Sequence, residues 1–152
     1  MSNRLNNTTQ HARPARTRRK HFSIDHANRC LVLLNRVVAD IVVEYQRLGE
    51  YQETLEAGGS DDDVRRRTEG LLTRSVTRIR MCLEELDDLG VEITDWSRGS
   101  VDFPSLAAGR EIRLCWALGE DRVRFWHEVN EDPAARRAID TVPIADAAPA
   151  EL

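Results

Sequence analysis

The chain has 152 residues, 41% hydrophobic, 32% charged and 5% aromatic, with 22 cationic side chains against 26 acidic ones. That length suits one domain with its own core, and no apolar run is long enough to cross a bilayer. No apolar stretch near the start can serve as a secretory signal, so a cytoplasmic location is the expectation. Three cysteines, Cys30, Cys82 and Cys115, with no C-x-x-C pair, argue against a disulfide framework and a cysteine-based zinc knuckle.

The charge is unevenly placed. Residues 1–21 hold six cations and no acid, residues 22–137 are net acidic, and residues 138–152 add only acids. The expected organisation is a disordered basic arm (1–21), a single domain (22–139) and a disordered acidic tail (140–152).

A helix is expected from Ser23, a good N-cap, with Phe22 placed to staple onto the first turn. From there Ala27, Leu31, Leu34, Val38, Ile41, Tyr45 and Leu48 recur at alternating spacings of four and three, the period of a buried helix face. Leu33, Val37, Val42 and Val43 broaden that stripe beyond what one partner helix covers. Ala57-Gly58-Gly59-Ser60 marks a turn, and Ser60 or Asp61 can cap a second helix over about 62–89. That helix carries Leu72, Val76, Ile79, Leu83 and Leu86 and stops at Gly90. Folding the chain back about Gly59 pairs residues whose numbers sum to about 120, with Ile41 against Ile79 and Gly49 against Gly70. The expectation is an antiparallel helical hairpin (23–89), coiled-coil-like in its spacing, with arms roughly 40–50 Å long at ~1.5 Å per residue.

After Gly90 the period changes to two. Val91–Ile93 reads as a short strand, and Val101–Phe103 as a second that stops at Pro104. Arg110–Leu118 and Arg122–Val129 read as a hairpin about Gly119-Glu120-Asp121. If Val123, Phe125 and Val129 share a face with Ile112, Leu114 and Trp116, even residues must pair with odd ones through a loop of two or four residues. That parity places His127 on the apolar face and turns Trp126 outward with Glu111, Arg113, Cys115, Arg124 and Glu128. The fold class expected is α+β, a long antiparallel helical hairpin packed on a small antiparallel sheet (91–130).

Candidate chemistry is sparse. His127, lacking partners at metal-ligand spacing, reads first as a hydrogen-bonded imidazole anchoring its strand; the sharper alternative is a general base or metal ligand with Asp102 or Glu120 nearby. Cys115 reads as an inert, half-buried thiol, with arginine neighbours that could lower its pKa. Trp126 needs a cover, which Asp132–Ile139 folding back would supply, or else marks a ligand or partner surface. The basic arm points to phosphate attraction, yet it has no aromatic interleaving and no recognition motif. There is no Gly-rich phosphate loop, nucleophile elbow or H-E-x-x-H, so neither cofactor nor metal is implied.

Gly99-Ser100-Val101-Asp102-Phe103-Pro104, Gly109-Arg110-Glu111 leading to Leu114-Cys115-Trp116, Gly119-Glu120 and Trp126-His127 resemble the ordered motifs of domain of unknown function family 2203. Phe22-Ser23, Ala27-Asn28, Leu31 and Leu33-Leu34 are similar to that family's opening. The resemblance covers about 22–139 and implies a small bacterial cytosolic protein, without supplying a reaction. It carries over Asp102, Arg110, Glu111, Cys115, Trp116, Glu120, Trp126, His127 and Arg136 as candidate ligand or interaction residues. The sequence departs from the family where Asp132–Arg137 replaces a glycine- and aromatic-containing segment, keeping Ala134 and Arg136.

Three functions follow as expectations. The first is a non-enzymatic interaction module, self-associating or docking a protein partner through the surplus apolar face of the helical hairpin. The second is a ligand- or metal-binding protein or enzyme using Asp102, Arg110, Glu111, Glu120 and His127, with Arg110 gripping an anion. The third is weak nucleic-acid association through the basic arm.

Overall fold

Ser23 starts the first helix as its N-cap, its hydroxyl accepting the His26 N–H at 3.0 Å. In the computed structural model, which describes residues 21–59 and 61–143, helix α1 then runs over Ile24–Glu56. Asp61 caps helix α2, Asp62–Leu89, by accepting the Val64 N–H at 2.8 Å, and Gly90 closes it at a left-handed φ of 82°. The basic arm through Lys20, Ser60 and residues 144–152 lie outside the described residues.

The two helices form the expected antiparallel hairpin. Three cross-helix contacts fix its register: Arg36 with Glu85 (3.8 Å), Glu44 with Ser75 (2.6 Å) and Glu44 with Arg78 (3.1 Å). Each pair of numbers adds to within two of 120. Leu31, Leu34, Val38 and Ile41 face Ile79, Cys82 and Leu86 in a buried seam.

Beyond Ile41 the seam departs from the sequence expectation. Tyr45 and Val76 are exposed, and Glu44, Ser75 and Thr68 are buried in their place. Burial alone would raise the Glu44 pKa. Hydrogen bonds from Ser75 and Arg78 and the charges of Arg47 and Arg78 outweigh it and hold the carboxyl below its ordinary range. Gly49 and Gly70 reflect no close approach, since a Cβ at either would meet nothing within 4 Å.

The chain then makes a five-stranded antiparallel meander in sequence order: β1 Glu92–Asp95, β2 Ser100–Ala107, β3 Arg110–Ala117, β4 Phe125–Glu128 and β5 Arg137–Ala138. Strand β2 does not stop at Pro104 but continues to Ala107. The reason is local. The Pro104 carbonyl accepts the Phe22 N–H at 2.7 Å, so the Pro104 nitrogen faces the same outer edge, beyond the end of β1. No ladder bond to β3 is lost there. Phe22 also packs edge-on against Phe103 at 5.2 Å, and Ser105 donates to its carbonyl, tying the start of α1 to the sheet.

Val101, Phe103, Ile112, Leu114 and Trp116 point into the core shared with α1. Val37 is fully buried, and Leu33 and Val42 pack against that core, leaving only Val43 of the surplus stripe largely exposed. The sheet therefore takes up the apolar surplus that had favoured self-association.

The β3–β4 register corrects the expected parity. Even residues pair with even ones: Ile112 with Glu128, Leu114 with Trp126, and Arg113 with His127. Residues 118–124 form the loop, an odd number, so Trp126 turns inward and His127 turns to the opposite face. Arg122 and Arg124 escape burial because β4 begins only at Phe125. Val123 is buried from the loop, its N–H donated to Asn28 of α1 at 2.8 Å, and Val129 is 39% exposed. Trp126 is covered as its size demands: Arg137 lies over its ring, and its indole N–H donates to Thr141 at 2.9 Å. Ile139 and Val142 pack onto the core beside it.

Candidate metal centre

The sheet face turned away from the helices assembles a polar cluster from three strands. A two-residue turn, Ala108-Gly109, with φ of 52° and 73°, joins β2 to β3 and sets Asp102 opposite Cys115. Strand β4 brings Phe125 opposite Cys115 and His127 opposite Arg113. Successive side chains alternate faces, so Asp102, Cys115, Phe125 and His127 project together.

His127 Nε2 lies 2.8 Å from Asp102 Oδ2, and a ligand atom from each of Asp102, Cys115 and His127 falls within 4.8 Å of the others. All three residues are buried, at 6%, 6% and 3% exposure. His127 Nδ1 sits 2.6 Å from the Glu128 carbonyl oxygen. That oxygen can only accept, so Nδ1 carries a proton and Nε2 presents the variable position to Asp102. The 2.8 Å contact between Nε2 and Oδ2 therefore needs one hydrogen-bonding proton, carried by one of the two groups and accepted by the other. Backbone fixation of one imidazole nitrogen is also how proteins orient a metal-binding histidine.

The thiol is not activated. Burial, the Asp102 carboxylate beside it and a hydrogen bond to that carboxylate push the Cys115 pKa well above the ordinary thiol value; Arg136 opposes them only in part, and Glu120 adds to them. Both His127 nitrogens are already engaged, so neither is free to take a proton from Cys115. This excludes a cysteine–histidine nucleophile in the observed arrangement.

The other candidates disperse. Glu111 is on the same face but bound to Arg113 at 2.8 Å, with His21 4.0 Å away. Arg110 projects to the opposite face and pairs with Glu128 at 2.7 Å. Glu120 holds the end of β3, accepting the Ala117 N–H at 2.6 Å and a long 3.4 Å contact from Arg136. Trp116 is a core residue whose indole N–H donates to the Glu120 carbonyl at 3.0 Å. Arg136 stacks its guanidinium 3.9 Å above the Phe125 ring. Of the five residues Asp102, Arg110, Glu111, Glu120 and His127, only Asp102 and His127 meet.

Two participants were not among the sequence candidates: Phe125, which had been counted as core, and the Glu128 carbonyl, which no side-chain pattern encodes. The Asp102–Cys115 pairing had a readable signal, because a two-residue turn at Ala108-Gly109 makes paired numbers sum to 217.

Fold and site together define a class: an α+β protein in which a helical hairpin backs an antiparallel meander with a buried Asp–Cys–His cluster on its outer face. The chain belongs to the family described as Uncharacterized conserved protein (DUF2203), whose family model matches residues 20–139. Comparison with curated proteins and with solved structures gives no match. Among the described residues, no helix is long and apolar enough to cross a membrane.

Proposed function

We propose that this protein binds a zinc-type divalent transition-metal ion through Asp102, Cys115 and His127. The observation that carries the reading is the convergence of one sulfur, one imidazole nitrogen and one carboxylate oxygen within 4.8 Å. These are the donors that zinc and its neighbours take, at about 2.0–2.3 Å, which requires ligand-to-ligand separations of about 3.3–3.8 Å. Reaching that geometry means opening the 2.8 Å contact between His127 and Asp102 and bringing all three ligand atoms, now within 4.8 Å of one another, around the ion. The ion also reverses the electrostatics: Asp102, which opposes thiolate formation at Cys115, becomes a second anionic ligand to the same cation. Three protein ligands leave a fourth position, the pattern of sites that bind or activate a small molecule.

Cobalt(II) titration of the full chain tests this. A thiolate-to-cobalt charge-transfer band should grow to saturation, disappear in Cys115→Ser and weaken in His127→Gln, with circular dichroism confirming that each variant is folded. Cobalt retaining its aqueous spectrum beside folded wild-type protein would refute the reading.

A further inference from the structure

We propose that the fourth position of this centre takes an oxyanion, a carboxylate or a tetrahedral oxyanion such as phosphate, held by the guanidinium of Arg136. The inference rests on the metal reading and extends it to the class of exogenous ligand.

Charge supplies the first argument. A divalent ion with the Cys115 thiolate and the Asp102 carboxylate is formally neutral, so the centre itself does not repel an anion. A neighbouring arginine then tips the balance toward one. The placement of Arg136 supplies the second. Its guanidinium lies 3.9 Å above Phe125, the direct cross-strand partner of Cys115 on the same face. Directly opposed side chains have their Cβ atoms about 4.5–5.5 Å apart, so Phe125, on which the guanidinium rests, is an immediate neighbour of Cys115.

Arg136 also keeps donors available. Stacking occupies a face of the guanidinium and leaves its N–H edges in plane. Among the described residues its one carboxylate contact is the 3.4 Å approach to Glu120, whose Oε1 already accepts the Ala117 N–H at 2.6 Å. The Arg136 side chain is 36% exposed, so an incoming ligand can reach it. Arg113, by contrast, is 8% exposed and held by Glu111, and Arg110 serves Glu128 on the other face. An oxyanion can bind the metal with one oxygen and the Arg136 edge with another.

The test uses the cobalt(II)-loaded full chain with acetate and sulfate as separate probes, a planar and a tetrahedral oxyanion. Titration should shift the visible d–d bands saturably, and the response identifies which geometry is preferred. Arg136→Gln should weaken the response at least ten-fold, with partial recovery in Arg136→Lys. The thiolate band reports metal loading separately in each variant. Absence of that band in wild type means failure of the metal reading. A normal band with d–d bands insensitive to both anions, or an equal response in wild type and Arg136→Gln, overturns the anion proposal.

Discussion

Gly99 and Gly109 share a φ of 73°, yet their surroundings differ, and substituting alanine at each separates backbone strain from packing. An alanine held in the left-handed region costs about 1 kcal/mol relative to glycine. At Gly109, in the β2–β3 turn, a Cβ meets nothing within 4 Å, so that is the whole expected loss. At Gly99, before β2, the new Cβ would lie 2.8 Å from Val38 Cγ1 and 3.0 Å from both Val42 Cγ2 and Leu118 Cβ. Val38 is fully buried and Leu118 Cβ is fixed to its backbone, so relief requires the β1–β2 turn to lift off α1. Overpacking of that kind costs about 1–3 kcal/mol, giving about 2–4 kcal/mol for Gly99→Ala. Urea denaturation of the full chain measures both losses, with unchanged slopes confirming that the same surface unfolds. Equal losses at the two positions would refute the direct seating of this turn on the middle of α1.

Three further outcomes follow from the packing and the site. Glu44→Gln should cost about 1–3 kcal/mol near neutrality, because it removes the charged acceptor from Ser75 and Arg78. The Glu44 pKa is lowered on folding, so its contribution is present above the unfolded value of about 4.3 and lost as pH falls through the folded value. Wild type and variant should therefore converge in acid by chemical denaturation, and a gap that persists there would contradict the assignment. Leu34→Ala, at a position with 0% exposure, should cost about 2–5 kcal/mol, whereas Val32→Ala, at 85%, should stay within about 0.5 kcal/mol; comparable thermal shifts would contradict the observed orientation of α1. Zinc at about 100 times its Kd should stabilise wild type by about 2.7 kcal/mol, reversibly on chelation. Cys115→Ser should lose most of that gain in scanning calorimetry, and an undiminished gain would place the metal elsewhere.

Local order was legible in the sequence wherever one stretch of chain decides it. The four–three spacing of Leu31, Leu34, Val38 and Ile41 identified the buried ridge of α1, and Ser23, Asp61 and Gly90 marked helix ends through their own backbone contacts. Fold class followed from the change of period after Gly90. The polar upper seam was not legible, because the Ser75 and Arg78 that join Arg47 around Glu44 come from α2, far along the chain.

The site shows the same division. Asp102 stands opposite Cys115 through the local two-residue turn at Ala108-Gly109, a signal masked by the expected strand end at Pro104. Bringing His127 to them depended on β4, whose long connection leaves its register open. Two inward sets competed there: Val123, Phe125 and Val129, or Trp126 alone. Only the assembled layers decided, because the core beside Leu114 accommodates an indole that Thr141 and Arg137 close from outside. A strand's side chains alternate with period two, so that single choice sent His127 to the opposite face. Sequence determined the ridges and caps; tertiary packing decided that β2 runs on past Pro104 and which face of β4 met Cys115, since both depend on neighbours from elsewhere in the chain.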